Sequence, residues 1–441
     1  MLKNQFYLLS IRRFLPLFLV QFLGAFNDNL FKNALVILIT YRLAMEMEMN
    51  VAIAVTAAQG IFILPFFLFS ALAGQLADKF EKTALIRRLK LLEILLMLLA
   101  AGGFWFGHFY LLMLTLFLMG CQSTFFGPLK YGILPDHLSE DELIPGNALV
   151  GGSTFLAILL GTIIGGLSIL GEGGARMVSG LIIVTALAGF IASRAMPRTG
   201  SASPDLVVNW NIAGESLKIM RYARENHAVF HSIMGISWFW LLGATVLAQF
   251  PALTRNVLGG DEQVGTLFLG AFSLGIGVGA LLCNKLLRGL VSARFVPLAA
   301  LGMTLFCVDL YFASRTLLPP VEGSFLTVGQ FLAEPKYWRI LLDCGLISIF
   351  GGLYIVPLYA LMQEKSAASH RSRMVAANNI FNAVFMVVGA LATMFLLASG
   401  LSIPGVFLVL GLLTAATGFY IYRVLCGDVP SGKQGGGNNI D

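Results

Sequence analysis

The chain has 441 residues, of which 57% are hydrophobic and only 12% charged, with a mean hydropathy of +0.83. A soluble domain carries about twice that charge fraction, and a soluble chain this long would divide into domains with charged exteriors. A soluble enzyme, a DNA-binding protein and a disordered scaffold are therefore poor readings, and an all-α polytopic membrane protein is expected. The formal charge of +6 does not point to nucleic acid, because the basic residues sit between the apolar runs. Five scattered cysteines show no metal-ligand spacing and imply no disulfide framework.

A membrane span needs roughly 20 mostly apolar residues. Apolar runs between Gly, Pro and charge punctuation predict twelve, over 14–41, 51–76, 86–106, 108–134, 146–170, 176–196, 231–254, 263–287, 294–314, 337–362, 373–398 and 403–425. With the N-terminus placed in the cytoplasm, 21 of the 29 Lys and Arg residues fall in inward segments, six fall outside, and Lys32 and Lys130 lie within spans. That asymmetry predicts both termini inside. The organisation expected is a six-helix bundle over 1–197, a cytoplasmic linker over 198–230, a second six-helix bundle over 231–426 and a disordered tail over 427–441. The linker contains Ile212, Leu217, Ile219, Met220 and Tyr222 among Lys218, Arg221 and Arg224, which reads as a basic amphipathic segment on the membrane surface. The outward loop 315–336, with Pro319, Pro320 and Pro335, is expected to be irregular.

The halves repeat. Pro128-Leu129 is followed 19 residues later by Asn147, and Pro357-Leu358 is followed 21 residues later by Asn378. Leu-Gly-Ala recurs at 23–25 and 242–244. Transporters built from repeated halves bind substrate between them and rock around it.

The first span holds Phe22-Leu-Gly-Ala-Phe-Asn-Asp-Asn-Leu-Phe-Lys-Asn33, a polar stripe of Asn27, Asp28, Asn29, Lys32 and Asn33 on an otherwise oily helix. A charge at mid-bilayer costs about 2.5–3.5 kcal/mol on insertion scales, so it must face a cavity or a partner. Asp28 and Lys32 have the i, i+4 spacing of an ion pair. Two readings stand: a helix-packing clamp, or a site for a polar head group or coupling cation. The matching stretch of the seventh span, Thr245 to Gln249, carries no charge.

Lys130, beside Pro128 near the inner end of the fourth span, is the second candidate, either a point charge for a phosphate or a lysine snorkelling to the interface. Gln363 and Glu364, at the matching end of the tenth span, are candidate cavity or gate residues, as Asn378 is in the eleventh. Asp309 and Asp343 lie in the ninth and tenth spans with no evident partner, and the Gly161–Gly166 run of the fifth reads as a close-packing surface. A membrane-embedded acyltransferase is the competing enzyme reading. Among five histidines only His137 has an acid five residues on, and it is Glu142 where an Asp is required. No catalysis and no cofactor are expected.

Gly74-Gln-Leu-Ala-Asp78-Lys79-Phe-Glu-Lys82 resembles the loop motif of the major facilitator superfamily, with Glu81 in place of the usual glycine. The resemblance implies that fold and a charge clamp at the inner gate formed by Asp78, Lys79 and Lys82. The second-half copy, Ala280-Leu-Leu-Cys-Asn284-Lys285, lacks the acid.

Gln21-Phe-Leu-Gly-Ala-Phe-Asn-Asp-Asn29, Pro128-Leu-Lys-Tyr-Gly132, Gly146-Asn147-Ala148, Val356-Pro-Leu-Tyr-Ala-Leu-Met-Gln-Glu364 and Ala377-Asn378-Asn379 resemble the bacterial lysophospholipid transporter branch. They also resemble the transporter domain fused in some bacteria to a 2-acylglycerophosphoethanolamine acyltransferase. The resemblance implies flipping of lysophosphatidylethanolamine-like lipids from the outer to the inner leaflet of the inner membrane, with a separate acyltransferase as pathway partner; a monomer is expected. It carries transport roles to Asp28 and Lys130. Stand-alone members have an arginine within the seventh span. Ser237 to Pro251 has none, as in the fused version. The alternative is export or import of a soluble small molecule, such as a drug or siderophore, on the same scaffold.

Overall fold

The computed structural model describes residues 5–43, 48, 51–315, 317 and 325–426. With no water in the hydrocarbon layer, a spanning backbone must satisfy its own hydrogen bonds, and helices do so. Among the described residues twelve helices are long and apolar enough to cross: Leu15–Leu43, Ile53–Lys79, Lys82–Phe106, Phe109–His137, Glu140–Ile169, Gly174–Arg194, His227–Asn256, Glu262–Leu287, Val296–Arg315, Pro335–Lys365, Ala368–Ala398 and Ile403–Cys426. The sole β-type pairing among those residues is an isolated bridge between Gly260 and Leu326.

Several spans start earlier than their apolar runs suggest, because polar residues cap them. Glu81 accepts from the backbone N–H groups of Thr83 and Ala84 and opens the third span at Lys82 rather than 86. A capping box of Ser139 and Glu142 opens the fifth at Glu140 rather than 146.

The helices pack as two pseudo-symmetric bundles. The first span lies against the fifth, the second against the fourth and the third against the sixth. The same pairing recurs six spans on, as seventh with eleventh, eighth with tenth and ninth with twelfth. The bundles meet where the fifth span packs on the eighth and the second on the eleventh. Within the first bundle, the glycine run of the fifth span serves its packing on the first span: a Cβ on Gly165 would lie 2.3 Å from the Leu30 carbonyl oxygen, and one on Gly161 2.5 Å from that of Phe26.

Two expectations are corrected. The loop 315–336 is not irregular throughout, since Val328–Ala333 is helical behind a Thr327 cap and Pro335 starts the tenth span; Pro319 and Pro320 lie outside the described residues. The amphipathic segment is the helix Ile212–Glu225, and its buried residues Glu215, Ile219 and Ala223 face protein, against the second, seventh and eleventh spans. The proposed tail 427–441 lies outside the described residues.

Candidate functional site

The first span presents its polar residues to different neighbours. Asp28 and Lys32 do not form the ion pair their spacing suggests. Asp28 Oδ2 accepts from Ser123 Oγ of the fourth span at 2.6 Å, while the Lys32 ammonium lies 5.0 Å from the centroid of the Phe62 ring of the second. Each charge has found a stabilising contact on a different helix, and each keeps accessible surface. Asn29 donates back to the Ala25 carbonyl at 2.7 Å, and Asn33 to that of Thr162 at 2.6 Å.

Of the two readings of the stripe, Asn27 fits the packing one in this structure. It is fully buried, and its Nδ2 donates to Glu93 Oε1 at 3.2 Å. Glu93 also accepts from Lys90 Nζ at 2.7 Å and Gln122 Nε2 at 3.2 Å. Lys90 and Glu93 are 0% and 2% exposed, so this ion pair is sealed inside the first bundle. Sequence reading counted Lys90 among the inward cations at the start of the 86–106 span and passed over Glu93. The available signal was an acid three residues beyond a lysine inside an apolar run.

The face of the fourth span that looks toward the other bundle is defined by contacts. Tyr131 stacks on Tyr359 of the tenth span, ring centroids 4.5 Å apart, and Gly127 lies under Asn379 of the eleventh. Ser123 is one helical turn further along the same face, so Asp28 reaches the inter-bundle side about 12 Å from the level of Tyr131. Lys130 belongs to the same region. It does not snorkel outward: its ammonium donates to Thr154 Oγ1 of the fifth span at 3.3 Å and lies 4.9 Å from the Tyr131 ring centroid. Helical side chains lean toward their own N-terminus, which points Lys130 toward Ser123 and Asp28. An acid and an amine on one face, both partly accessible, suit a zwitterionic group.

Beyond the tyrosine pair the bundles close on the loop face that carries residues 80–81, 138–139, 195–226 and 366–370, here termed the basic face. A cavity of about 20 Å³, room for one water, remains beside Tyr131, Asn147, Thr154, Trp240 and Tyr359. Asn147 and Gln363 exchange two hydrogen bonds across the interface, at 2.7 and 3.1 Å. At the rim Asp78 accepts from the backbone N–H groups of Ser372 and Arg373, at 3.0 and 3.3 Å, and from Arg373 Nε at 3.0 Å. Lys82 pairs with Asp136 at 2.8 Å, and Arg371 of the second bundle approaches the same carboxylate at 3.4 Å.

Two expected gate residues lie elsewhere. Lys79 rests its ammonium over the Phe80 ring, and Glu364 pairs with its neighbour Lys365 at 2.9 Å, outside the latch made by Gln363. Glu81, the departure from the motif glycine, also accepts from Thr199 N and Oγ1, tying the linker to the third span. Burial raises the Glu81 carboxyl, but the hydrogen bonds from Thr199, Ala84 and Thr83 outweigh it and hold it below its ordinary value. Asp309 pairs with Arg339, with Asp343 buried beside them and one of its oxygens unpartnered among the described residues.

In the second bundle, Asn378 is 0% exposed, and neither its Nδ2 nor its Oδ1 has a hydrogen-bond partner among the described residues. Asn382, one turn on, accepts from Ser237 Oγ at 2.8 Å. Trp240 Nε1 donates to the Tyr359 hydroxyl at 3.1 Å.

Comparison with known proteins agrees with this architecture. Residues 13–321 match the model of a family described as transmembrane secretion effector. Two curated relatives are each named lysophospholipid transporter LplT. That of Klebsiella pneumoniae subsp. pneumoniae is 29% identical over 355 residues, and that of Escherichia coli 27% over 353, each alignment covering 79% of both chains. Among solved structures, the human organic anion transporter TETRAN superposes with a TM-score of 0.70 at 14% identity, covering 92% of this chain and 98% of that one. The Escherichia coli fucose:proton symporter FucP gives 0.67 at 13%, covering 92% and 97%. By its family match, its twelve spans and its paired bundles, the chain belongs to the major facilitator superfamily, within the transmembrane secretion effector family.

Proposed function

We propose that this protein flips lysophospholipids of the lysophosphatidylethanolamine type from the outer to the inner leaflet of the bacterial inner membrane by alternating access. The observation that carries the reading is the placement of Asp28 and Lys130 toward the same inter-bundle face, each partly accessible and each held by a hydroxyl rather than by the other. An acid and an amine so placed can hold the ammonium and the phosphate of a zwitterionic head while the single acyl chain stays against apolar surface. The names of the curated relatives support the same substrate class. The closed basic face corresponds in this reading to a cytoplasmic gate, with both termini on the cytoplasmic side, as the positive-inside bias requires. An acyltransferase that re-acylates the delivered lipid is the pathway partner.

The test is a leaflet-resolved assay of labelled lysophosphatidylethanolamine in liposomes holding the purified protein. Asp28→Asn and Lys130→Gln should each slow movement by at least about tenfold, the loss of one charge-assisted contact. A folded wild-type protein that moves no lysolipid refutes the reading. Competition by a soluble compound without an acyl chain would favour small-molecule transport instead.

A further inference from the structure

The pseudo-symmetry of the bundles places Asn147 and Asn378 at corresponding positions, in the fifth and eleventh spans after the repeated Pro-Leu. Their surroundings differ. Asn147 has its amide satisfied on both sides by Gln363 across the interface. By the offset between Pro128 and Pro357, the counterpart of Gln363 on the fourth span is Leu134, which offers no hydrogen bond. Asn378 is accordingly left with a free donor and a free acceptor. The Tyr359 hydroxyl lies beside it, close enough for the two groups to interact, though the contact falls short of a regular hydrogen bond. Tyr359 is the ring that stacks on Tyr131, next to Lys130.

A buried amide lacking both partners is unfavourable, and native interiors rarely retain one without a use for it. Asn147 is a closed latch, whereas Asn378 keeps its valences open inside the second bundle beside Tyr359, one aromatic pair away from the amine of Lys130. An uncharged group that both donates and accepts would satisfy it. In a lysophospholipid that group is the free glycerol hydroxyl, a few bonds from the phosphate, and a diacyl lipid lacks it.

We propose that Asn378, with the Tyr359 hydroxyl beside it, forms a subsite for the free glycerol hydroxyl of the transported lipid, reached when the Tyr131–Tyr359 stack parts. This rests on the lysophospholipid reading above. The phosphate then lies toward Lys130 and the amine toward Asp28, all contributed by the first bundle, while the hydroxyl is read by the second.

The experiment compares two lipids in liposomes, 1-acyl lysophosphatidylethanolamine and its 2-deoxy analogue, with wild-type protein and Asn378→Leu. Wild type should move the hydroxylated lipid roughly tenfold faster, the worth of one or two neutral hydrogen bonds. In Asn378→Leu the preference should collapse to about one. Thermal unfolding of Asn378→Leu at or above the wild-type midpoint is expected too, since an unsatisfied buried amide has been replaced by an apolar group of similar size. Equal movement of both lipids by wild type, or a preference retained by Asn378→Leu, overturns the subsite and leaves the transport reading standing; a purely structural Asn378 would slow both lipids alike and retain it. Movement of neither lipid by folded wild type overturns both.

Discussion

Lys90→Met is the sharpest test of what holds the first span in place. In the wild type, Glu93 accepts from Lys90 at 2.7 Å and from Asn27 and Gln122 at 3.2 Å each. The site is buried, and it is shaped for the ammonium: a Cβ on Gly24 would lie 2.7 Å from Lys90 Nζ, and the Phe126 ring centroid lies 5.4 Å away. Removing the cation leaves a carboxylate with two neutral amide donors and no counter-charge. Breaking a buried pair in this way costs about 3–5 kcal/mol, whereas replacing both partners by apolar side chains is often neutral. Lys90→Met should therefore lower the unfolding midpoint in detergent by several degrees, and the double variant Lys90→Met/Glu93→Met should recover most of the loss. Asn27 then loses its partner as well, so the recovery should be incomplete. A single variant that melts with the wild type, or a double variant no more stable than the single one, would refute the brace.

The remaining expectations concern the gate and the packing. Asp78→Asn removes the charge that holds Arg373 and should expose a cysteine introduced at Gly132, which lies against Ser372; unchanged thiol labelling would show that the clamp does not seal this face. Glu81 is held below its ordinary value in the folded protein, so its contribution is present above the unfolded carboxyl pKa and is lost as pH falls through the folded one. The midpoint difference between wild type and Glu81→Gln should thus shrink on acidification, and a pH-independent difference would contradict the assignment. Gly165→Val forces a side chain into the Leu30 carbonyl and should destabilise by about 1–3 kcal/mol as overpacking does; a wild-type midpoint would rule out the tight approach of the first and fifth spans.

The twelve spans and the polar stripe were legible because lipid imposes a strong, local compositional signal. The pairing of those residues was not. Asp28 and Lys32 have the spacing of an ion pair, but spacing fixes only that two side chains share a helix face. Ser123 and Phe62 compete for them from other helices, and no one-dimensional pattern encodes which neighbour wins. Lys90 counts in the sequence as one of the basic residues that cluster at the inner end of a span, and its burial follows from Gly24 on a different helix. Glu81 breaks the family motif, yet as a helix cap it is locally sensible, with the acid ahead of the backbone N–H groups it satisfies.

The distribution of charge between and within the bundles follows from what rocking demands. Parting two bundles uncovers every contact between them, so an ion pair across a dry interface would have to be broken without water to receive it. The fully sealed pair, Lys90–Glu93, lies wholly within the first bundle and is never separated. Of the inter-bundle salt bridges, Asp136–Arg371 is partly exposed, so water can solvate its charges as they part, whereas Asp78–Arg373 is buried and is the costly contact to break. Between rim and centre the contacts are neutral: an amide pair and a tyrosine stack, each worth on the order of 1 kcal/mol. Interactions of that size can be exchanged for contacts with an arriving polar group. The centre is thus built from bonds weak enough to trade, and the buried Asp78–Arg373 clamp is the strong contact that opening of the basic face must break.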